Sequence, residues 1–192
     1  SEECQNEYEE YCKEYITENG ACYEQYVITD PEAKTALTIT PERGGMITSF
    51  TLDGEEFVWT RRPNFSECNR PRFGVPVLFP SCGNPDNGVH IFGGKAYPME
   101  THGFADLCAW DVESVGPDGV TLILESTPLT KFLYPFDFTV LMNYNLEAGG
   151  KLDALDHRAN RHGAVALDKV LHLGQDHAQV AQLAGINLAC QN

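Results

Sequence analysis

From Tyr23 to Glu147 the chain alternates apolar and polar residues in short runs, with turn residues between one run and the next. Because successive side chains of a β-strand point to opposite faces, this alternation predicts strands with one buried face. Pro, Gly and Asp punctuate the runs, and no helical period intervenes. The pattern therefore predicts a mainly β chain, folded as an antiparallel β-sandwich. The expected strands are 23–29, 36–40, 46–52, 56–60, 109–115, 120–126 and 136–146.

The stretch from Arg72 to Phe104 interrupts this rhythm, and we expect a binding cleft there. An apolar run at 75–79 leads into a loop rich in Gly, Asn, Pro and Asp. A hairpin is expected at 90–97, with a Gly-Gly turn at its tip. The chain then reaches His102 directly before Gly103, where the backbone can bend and another group can approach closely. Apolar walls, a polar loop and one histidine indicate a small-molecule cleft.

The two ends of the chain differ in composition from this β-rich centre. Residues 1–22 carry Tyr, Cys and Ile at helical spacing opposite a face of glutamates, which predicts an acidic amphipathic helix. This helix either packs on its own domain or docks a protein partner. Residues 151–192 hold no aromatic residue and no glutamate, and we expect a helical or irregular tail there. The predicted organisation is a helix at 1–22, a β-sandwich portion at 23–150 and a divergent tail at 151–192.

The net charge excludes some classes of binding partner, and the cysteine content bears on whether the chain forms disulfides. A formal net charge of −15 opposes binding to nucleic acid and to anionic membranes. No apolar run reaches membrane-spanning length, and the spacing of His and Cys does not predict a metal site. The seven cysteines are odd in number and form no CxxC pair, so reduced thiols are favoured over disulfides. The disulfide state of Cys4, Cys12 and Cys22 stays open.

Four segments resemble the aldose 1-epimerase (galactose mutarotase-like) family, in its bacterial and cyanobacterial-type branch. The resemblance implies a large antiparallel β-sandwich that binds a pyranose in a cleft on one sheet. It further implies interconversion of the α- and β-anomers of aldoses without a cofactor. The segments are, in order, Pro41-Glu-Arg-Gly-Gly-Met-Ile-Thr-Ser, Arg72-Phe-Gly-Val-Pro-Val-Leu-Phe-Pro-Ser-Cys-Gly-Asn, Tyr97-Pro-Met-Glu-Thr-His-Gly-Phe-Ala and Tyr134-Pro-Phe-Asp-Phe.

The same resemblance suggests roles for individual residues. His102 matches the family's motif histidine, which acts as the acid or orients the sugar, and a pKa near working pH suits that acid role. Arg72 would hydrogen-bond sugar hydroxyls with its planar fork. Asn87 matches a sugar-contacting asparagine, and Asn84 is a further candidate. Trp110 either stacks on a sugar face or belongs to the core.

The chain also departs from the family pattern. Asp106 stands where the motif carries an arginine, and Gly88 stands where relatives often carry a second one. No glutamate follows Glu147, although the resemblance implies a catalytic glutamate in that part of the domain. Without a positioned base, proton transfer loses about a hundredfold or more. We therefore expect a catalytically degenerate mutarotase-like domain that serves as a structural subunit of a larger assembly. The alternatives are an active aldose 1-epimerase and a non-catalytic carbohydrate-binding module.

The expected partners follow from these alternatives. An intact cleft would bind an aldose or a sugar phosphate. A protein partner would cover the incomplete sandwich and dock the helix at 1–22, because unpaired strand edges and uncovered sheet faces favour association. We expect a soluble protein, and the branch likeness favours the cytoplasm or a plastid.

Overall fold

The computed structural model describes residues 13–18, 21–59, 70, 73–149, 151–160 and 169–173. Within these ranges the chain forms twelve strands and a few short 3₁₀ turns. None of the helical segments in the described ranges is long and apolar enough to cross a membrane. The strands are β1 Lys13–Glu18, β2 Ala21–Asp30, β3 Thr35–Thr40, β4 Met46–Leu52, β5 Glu55–Glu56, β6 Val89–Phe92, β7 Lys95–Pro98, β8 Asp111–Val115, β9 Gly119–Glu125, β10 Phe138–Glu147, β11 Lys151–Asn160 and β12 Lys169–Leu173.

The strands form two five-stranded sheets and one separate hairpin. The first sheet has the order β1-β2-β3-β4-β5, and the second has the order β12-β11-β10-β9-β8. Every pair is antiparallel and joins neighbours in the chain, so short turns suffice as connections. The hairpin pairs β6 with β7 across Gly93 and Gly94, as the sequence predicts. The predicted antiparallel β-sandwich is confirmed.

One apolar core lies between the two sheets. In β3, Leu37 and Ile39 are fully buried, and β10 buries every second side chain from Phe138 to Leu146. This is the period of two that the sequence shows, and it lets each sheet turn one apolar face inwards. The hydroxyl of Tyr144 on β10 donates a hydrogen bond to the carbonyl of Gly45, next to β4, and so ties one sheet to the other.

The apolar run at 75–79 is extended but is not a regular strand. Val75 exchanges two backbone hydrogen bonds with Ile47, and Phe79 forms an isolated bridge with Gly103. Pro76 and Pro80 have no backbone N–H, so a continuous ladder cannot form along the run. The segment therefore pairs with neighbouring backbone near its two ends, and between them Val77 packs into the core.

The predicted N-terminal helix is wrong over residues 13–18. These residues form β1, which pairs with β2 from Lys13 opposite Tyr26 to Glu18 opposite Ala21. The sequence Tyr15-Ile16-Thr17 consists of aromatic and β-branched residues, which favour strands, and β2 offers the backbone partners. The helical spacing of the apolar residues was therefore outweighed by sheet pairing. Residues 1–12 lie outside the described residues.

The predicted helical or irregular tail is wrong at β11 and β12. These strands extend the second sheet beyond β10. The register places Leu152 opposite Leu146 and Ala154 opposite Tyr144, and both Leu152 and Ala154 are buried. The absence of aromatic residues hid this alternation, because small and charged side chains dominate the segment. The remainder of the predicted tail, at 161–168 and 174–192, lies outside the described residues.

Removing the Tyr144 hydroxyl should weaken the link between the sheets. In Tyr144→Phe the buried carbonyl of Gly45 loses this donor, and we expect the free energy of unfolding to fall by about 1–3 kcal/mol. Urea denaturation followed by far-UV circular dichroism measures the change. Tyr97→Phe on the exposed hairpin is the control, with an expected change within about 0.5 kcal/mol. Equal losses in the free energy of unfolding of the two variants would show that the Tyr144 hydrogen bond does not join the sheets.

Candidate functional site

Two segments that are far apart in the chain cross at Phe79. The carbonyl oxygen of Phe79 accepts hydrogen bonds from the backbone N–H groups of Phe104 at 2.9 Å and Ala105 at 3.2 Å. A few residues on, the carbonyl of Gly83 accepts the backbone N–H of His102 at 2.8 Å. These bonds fix the loop that carries the candidate histidine against the segment that follows the apolar run.

Gly103 is the point of closest approach at this crossing. Its φ of +80° lies in the left-handed region. A Cβ at this position would overlap the carbonyl oxygen of Phe79, which is a backbone atom and cannot rotate away. The expectation that another group approaches Gly103 closely is confirmed, and that group is the backbone of Phe79.

His102 has an unusual backbone conformation for a residue with a side chain. Its φ is +68°, which costs of order 1–3 kcal/mol unless the surroundings impose it. The bond from its N–H to Gly83 and the tight packing of Gly103 supply that constraint. The imidazole is half-buried, and its Nδ1 is buried with no hydrogen-bond partner among the residues that the structure describes. This nitrogen is therefore shielded from solvent, and only the exposed part of the imidazole ring can meet a ligand.

The two candidate asparagines lie on loops that are joined to the His102 segment. The side-chain oxygen of Asn84 accepts a hydrogen bond from the hydroxyl of Thr101, the residue before His102. Asn87 is exposed, with a φ of +54°, and its neighbour Gly88 accepts the backbone N–H of Met99 at 2.9 Å. The structure thus brings Asn84 beside the histidine loop and ties the turn of Asn87 to the same strand end.

Of the other two predicted site residues, only Trp110 can be placed, and it does not join this group. Arg72 lies outside the described residues. Trp110 is 3% exposed, and its indole N–H donates to the carbonyl of Ala105 at 3.0 Å within the core. The possible role of Trp110 in stacking on a sugar is therefore corrected, because its ring faces no surface; the core alternative describes its position.

Arg70 and Asp106 form a largely buried ion pair against the loop of His102, and no motif in the sequence predicts this pair. The Nε of Arg70 is 3.2 Å from Oδ2 of Asp106, and Nη2 of Arg70 donates to the carbonyl of Gly103 at 2.6 Å. Asp106 is only 2% exposed and the Arg70 side chain 20%. Glu100, whose carboxylate is 3.8 Å from the same Nη2, is 81% exposed. Arg70 thus makes its firm contacts with Gly103 and Asp106.

Burial raises the pKa of Asp106 above the ordinary value of an aspartate. The guanidinium of Arg70 and the charge of His102 act in the opposite direction, but the loss of hydration is the larger effect. Burial, followed by the negative charge of Asp106, also raises the pKa of the Cys108 thiol. Among the described side chains Cys82 and Cys108 are free thiols, whereas the side chains of Cys4, Cys12 and Cys22 lie outside them.

A cleft of about 950 Å³ lies elsewhere, where β2 turns into β3 and β10 ends. Phe138 begins β10 beside Phe79, with ring centroids 4.8 Å apart, and Glu147 at the other end of the strand lines the cleft. Nine residue steps of a strand span about 30 Å, so the cleft is remote from His102. Its lining includes the acidic residues Asp30, Glu32, Asp118 and Glu147 and no histidine.

Comparison with known proteins shows which family this chain is similar to. The sequence profile described as aldose 1-epimerase matches residues 24–166. A solved structure from Synechocystis sp. PCC 6803 is 30% identical, covers 71% of this chain and 48% of its own, and has a TM-score of 0.66. A galactose mutarotase related enzyme from Lactobacillus acidophilus is 27% identical, with coverages of 81% and 51% and a TM-score of 0.63. A galactose mutarotase-like protein from Lactobacillus casei is 30% identical, with coverages of 71% and 44% and a TM-score of 0.60.

No curated protein sequence matches the chain. The chain spans about half the length of the solved structures it matches, since 48%, 51% and 44% of those chains are covered. The sequence match runs from within β2 to beyond the end of β11 and so includes the loop of His102.

The close approach at Gly103 predicts a specific sensitivity to an added methyl group. Gly103→Ala should lower the free energy of unfolding by about 1–3 kcal/mol more than Gly54→Ala, because the new Cβ overlaps the Phe79 carbonyl. Gly54 is a matched control, since its φ of +83° is nearly the same and a Cβ there would meet no atom within 4 Å. Thermal and urea denaturation provide the values. Equal losses would show that conformational strain alone matters.

The raised pKa of Asp106 predicts a pH dependence of stability. The folded state holds the Asp106 proton more tightly than the unfolded chain does, so protonation contributes stability below about pH 3.9. That contribution is lost as the pH rises through the folded-state pKa. Relative to Asp106→Asn, the wild type should therefore lose stability between about pH 4 and neutrality. Urea midpoints of both proteins across this range measure the difference. A wild type that gains stability over Asp106→Asn as the pH rises would mean that Arg70 lowers the pKa instead.

Proposed function

Because this chain belongs to the aldose 1-epimerase family, we propose that its His102 loop binds the ring of an aldose and that the chain does not by itself exchange the anomers. The observation that supports binding most directly is the state of His102. Its imidazole is half-buried, so part of the ring reaches the surface, and a constrained backbone holds the residue in place. An imidazole nitrogen can donate a hydrogen bond to a sugar oxygen or accept one from a hydroxyl, depending on its protonation.

The neighbouring loops suit a polar ligand of this size. Asn84 and Asn87 are exposed, and their amides can both donate and accept hydrogen bonds. We assign these two side chains to the hydroxyl groups of the sugar, together with Arg72, which precedes the apolar run. His102 is tied to the loop of Asn84, because its N–H is bonded to Gly83 and it follows Thr101, the partner of Asn84.

The proposed lack of turnover follows from the chemistry of ring opening. A proton must reach the ring oxygen while another leaves the anomeric hydroxyl, so two positioned groups are needed. His102 can supply one of them. Asp106 does not suit the other role, because its carboxylate is 2% exposed and paired with Arg70. Glu100 is 81% exposed and 3.8 Å from its nearest cation, so it has no fixed position.

A structural role within a larger assembly is the second candidate. Apolar side chains on the β6–β7 hairpin and on the loop before β10 face solvent, among them Ile91, Leu129 and Phe132. Contacts of Phe92 with Tyr134 hold the hairpin against that loop. Exposed apolar residues on adjoining segments favour association with another protein surface. Docking through the predicted N-terminal helix is not part of this proposal, since residues 13–18 form a strand.

Sugar binding and anomer exchange can be measured separately. We expect wild-type protein to perturb the NMR signals of glucose or galactose, and His102→Ala to weaken that interaction about tenfold or more, which corresponds to about 1.4 kcal/mol. In polarimetry of freshly dissolved α-glucose and α-galactose, we expect no acceleration above the spontaneous rate. His90→Ala, which removes another half-buried histidine, is the matched control and should bind as the wild type does.

Two results would overturn parts of this proposal. Accelerated mutarotation that His102→Ala abolishes would make the chain an active epimerase. An absence of sugar binding in the wild type would remove the carbohydrate role and leave the subunit role. In that case, Phe132→Asp should lower the mass of any assembly measured by light scattering, because it places a charge on the exposed apolar surface.

A further inference from the structure

The ion pair between Arg70 and Asp106 lies against the loop that carries the candidate histidine, and its carboxylate is too buried to contact a sugar. We infer that Arg70 and Asp106 are positioning residues, which hold His102 in the conformation that binds the sugar. The expected effect on sugar binding rests on the proposed function. Its structural part, the backbone conformation of His102, can be tested without a sugar.

Arg70 bridges two points of the histidine loop. Its Nη2 donates to the carbonyl of Gly103, which directly follows His102, and its Nε pairs with Asp106 three residues further on. The guanidinium is planar and rigid, so both contacts depend on one orientation of one group. Arg70 thereby holds the carbonyl side of the peptide plane after Gly103, whose N–H side is bonded to Phe79, while the bond from the N–H of His102 to Gly83 holds the plane before His102.

Asp106, to which Arg70 is paired, is itself anchored to the sandwich. A Cβ on Gly44 would overlap the backbone oxygen of Asp106, so these two backbones touch. The N–H of Gly44 also donates to the carbonyl of Cys108 at 3.0 Å. Asp106 is therefore held by the turn before β4, and Arg70 transmits that fixed position to Gly103 and His102.

In the described ranges, the ion pair lacks the hydrogen bonds that would make it stabilise the fold. Nη1 of Arg70 and Oδ1 of Asp106 are buried and have no hydrogen-bond partner within the described part of the chain. A buried pair contributes to stability only when its remaining polar atoms are also satisfied. Among the described residues, the two short contacts of Arg70 both lie on the histidine loop. Orientation of that loop accounts for the pair better than stability does.

The negative charge of Asp106 also attracts protonated His102. Arg70 neutralises the same carboxylate from the other side. Replacement of either member of the pair therefore changes both the geometry behind His102 and the charge that it senses. Arg70→Lys keeps the charge but offers one ammonium group in place of the fork, which separates the two effects.

The experiment measures the torsion φ of His102 by NMR couplings and the affinity for glucose or galactose, in folded full-length chain. We expect Arg70→Gln to move φ out of the left-handed region and to weaken sugar binding about tenfold. Arg70→Lys should give intermediate values, and Asp106→Asn should resemble Arg70→Gln. Lys34→Gln, which removes one member of an exposed ion pair 3.1 Å from Asp53, is the matched control.

A merely structural role predicts a different result. The unfolding midpoint would fall in Arg70→Gln while φ of His102 and the affinity stayed at wild-type values, and this would overturn the inference. If Arg70→Gln does not fold, Arg70→Lys and Asp106→Asn decide by the same two readouts. If the wild type binds no sugar, the proposed function fails, and φ of His102 in the variants alone decides whether the pair positions the histidine.

Discussion

The carbonyl group of Phe79 is the contact on which the arrangement of the site depends. It accepts the N–H groups of Phe104 and Ala105, and only a glycine fits beside it at position 103. The ring of the same residue packs against Phe138, with centroids 4.8 Å apart, at the start of β10. One residue therefore joins the histidine loop to a central strand of the second sheet. The position of His102 is fixed by the core and does not depend on the loop alone.

The centre of the fold could be predicted because its alternation reflects burial on one face. In β10 every second residue from Phe138 to Leu146 is buried, and the sequence shows this directly. The ends of the chain could not be predicted in the same way. At 13–18 the apolar residues fit a helix as well as a strand, and only pairing with β2 decides between them. At 151–160 the inward residues include alanine, so the contrast between the two faces is weak.

Some residues of the candidate site could likewise be predicted from the sequence, and others could not. Resemblance to a family identified His102, and the position of Gly103 after it indicated a close approach. Arg70 could not be identified, because nothing in the sequence around Pro71 distinguishes it from Arg72. Asp106 was visible as an acidic residue in an apolar segment, but its meaning depends on Arg70, which is distant in the chain. Trp110 matched two roles in the sequence, and only its burial decides for the core.

The pair behind His102 connects stability with the chemistry of the site. Burial raises the pKa of Asp106, so the charged form of this carboxylate opposes the stability of the fold. Such a feature persists when the surrounding structure uses it for something other than stability. Here the carboxylate orients Arg70, and Arg70 holds the carbonyl next to the strained residue. A carboxylate fixed in this way cannot also swing towards a sugar and remove a proton. The same contacts that support a well-positioned His102 therefore argue against Asp106 as its catalytic partner.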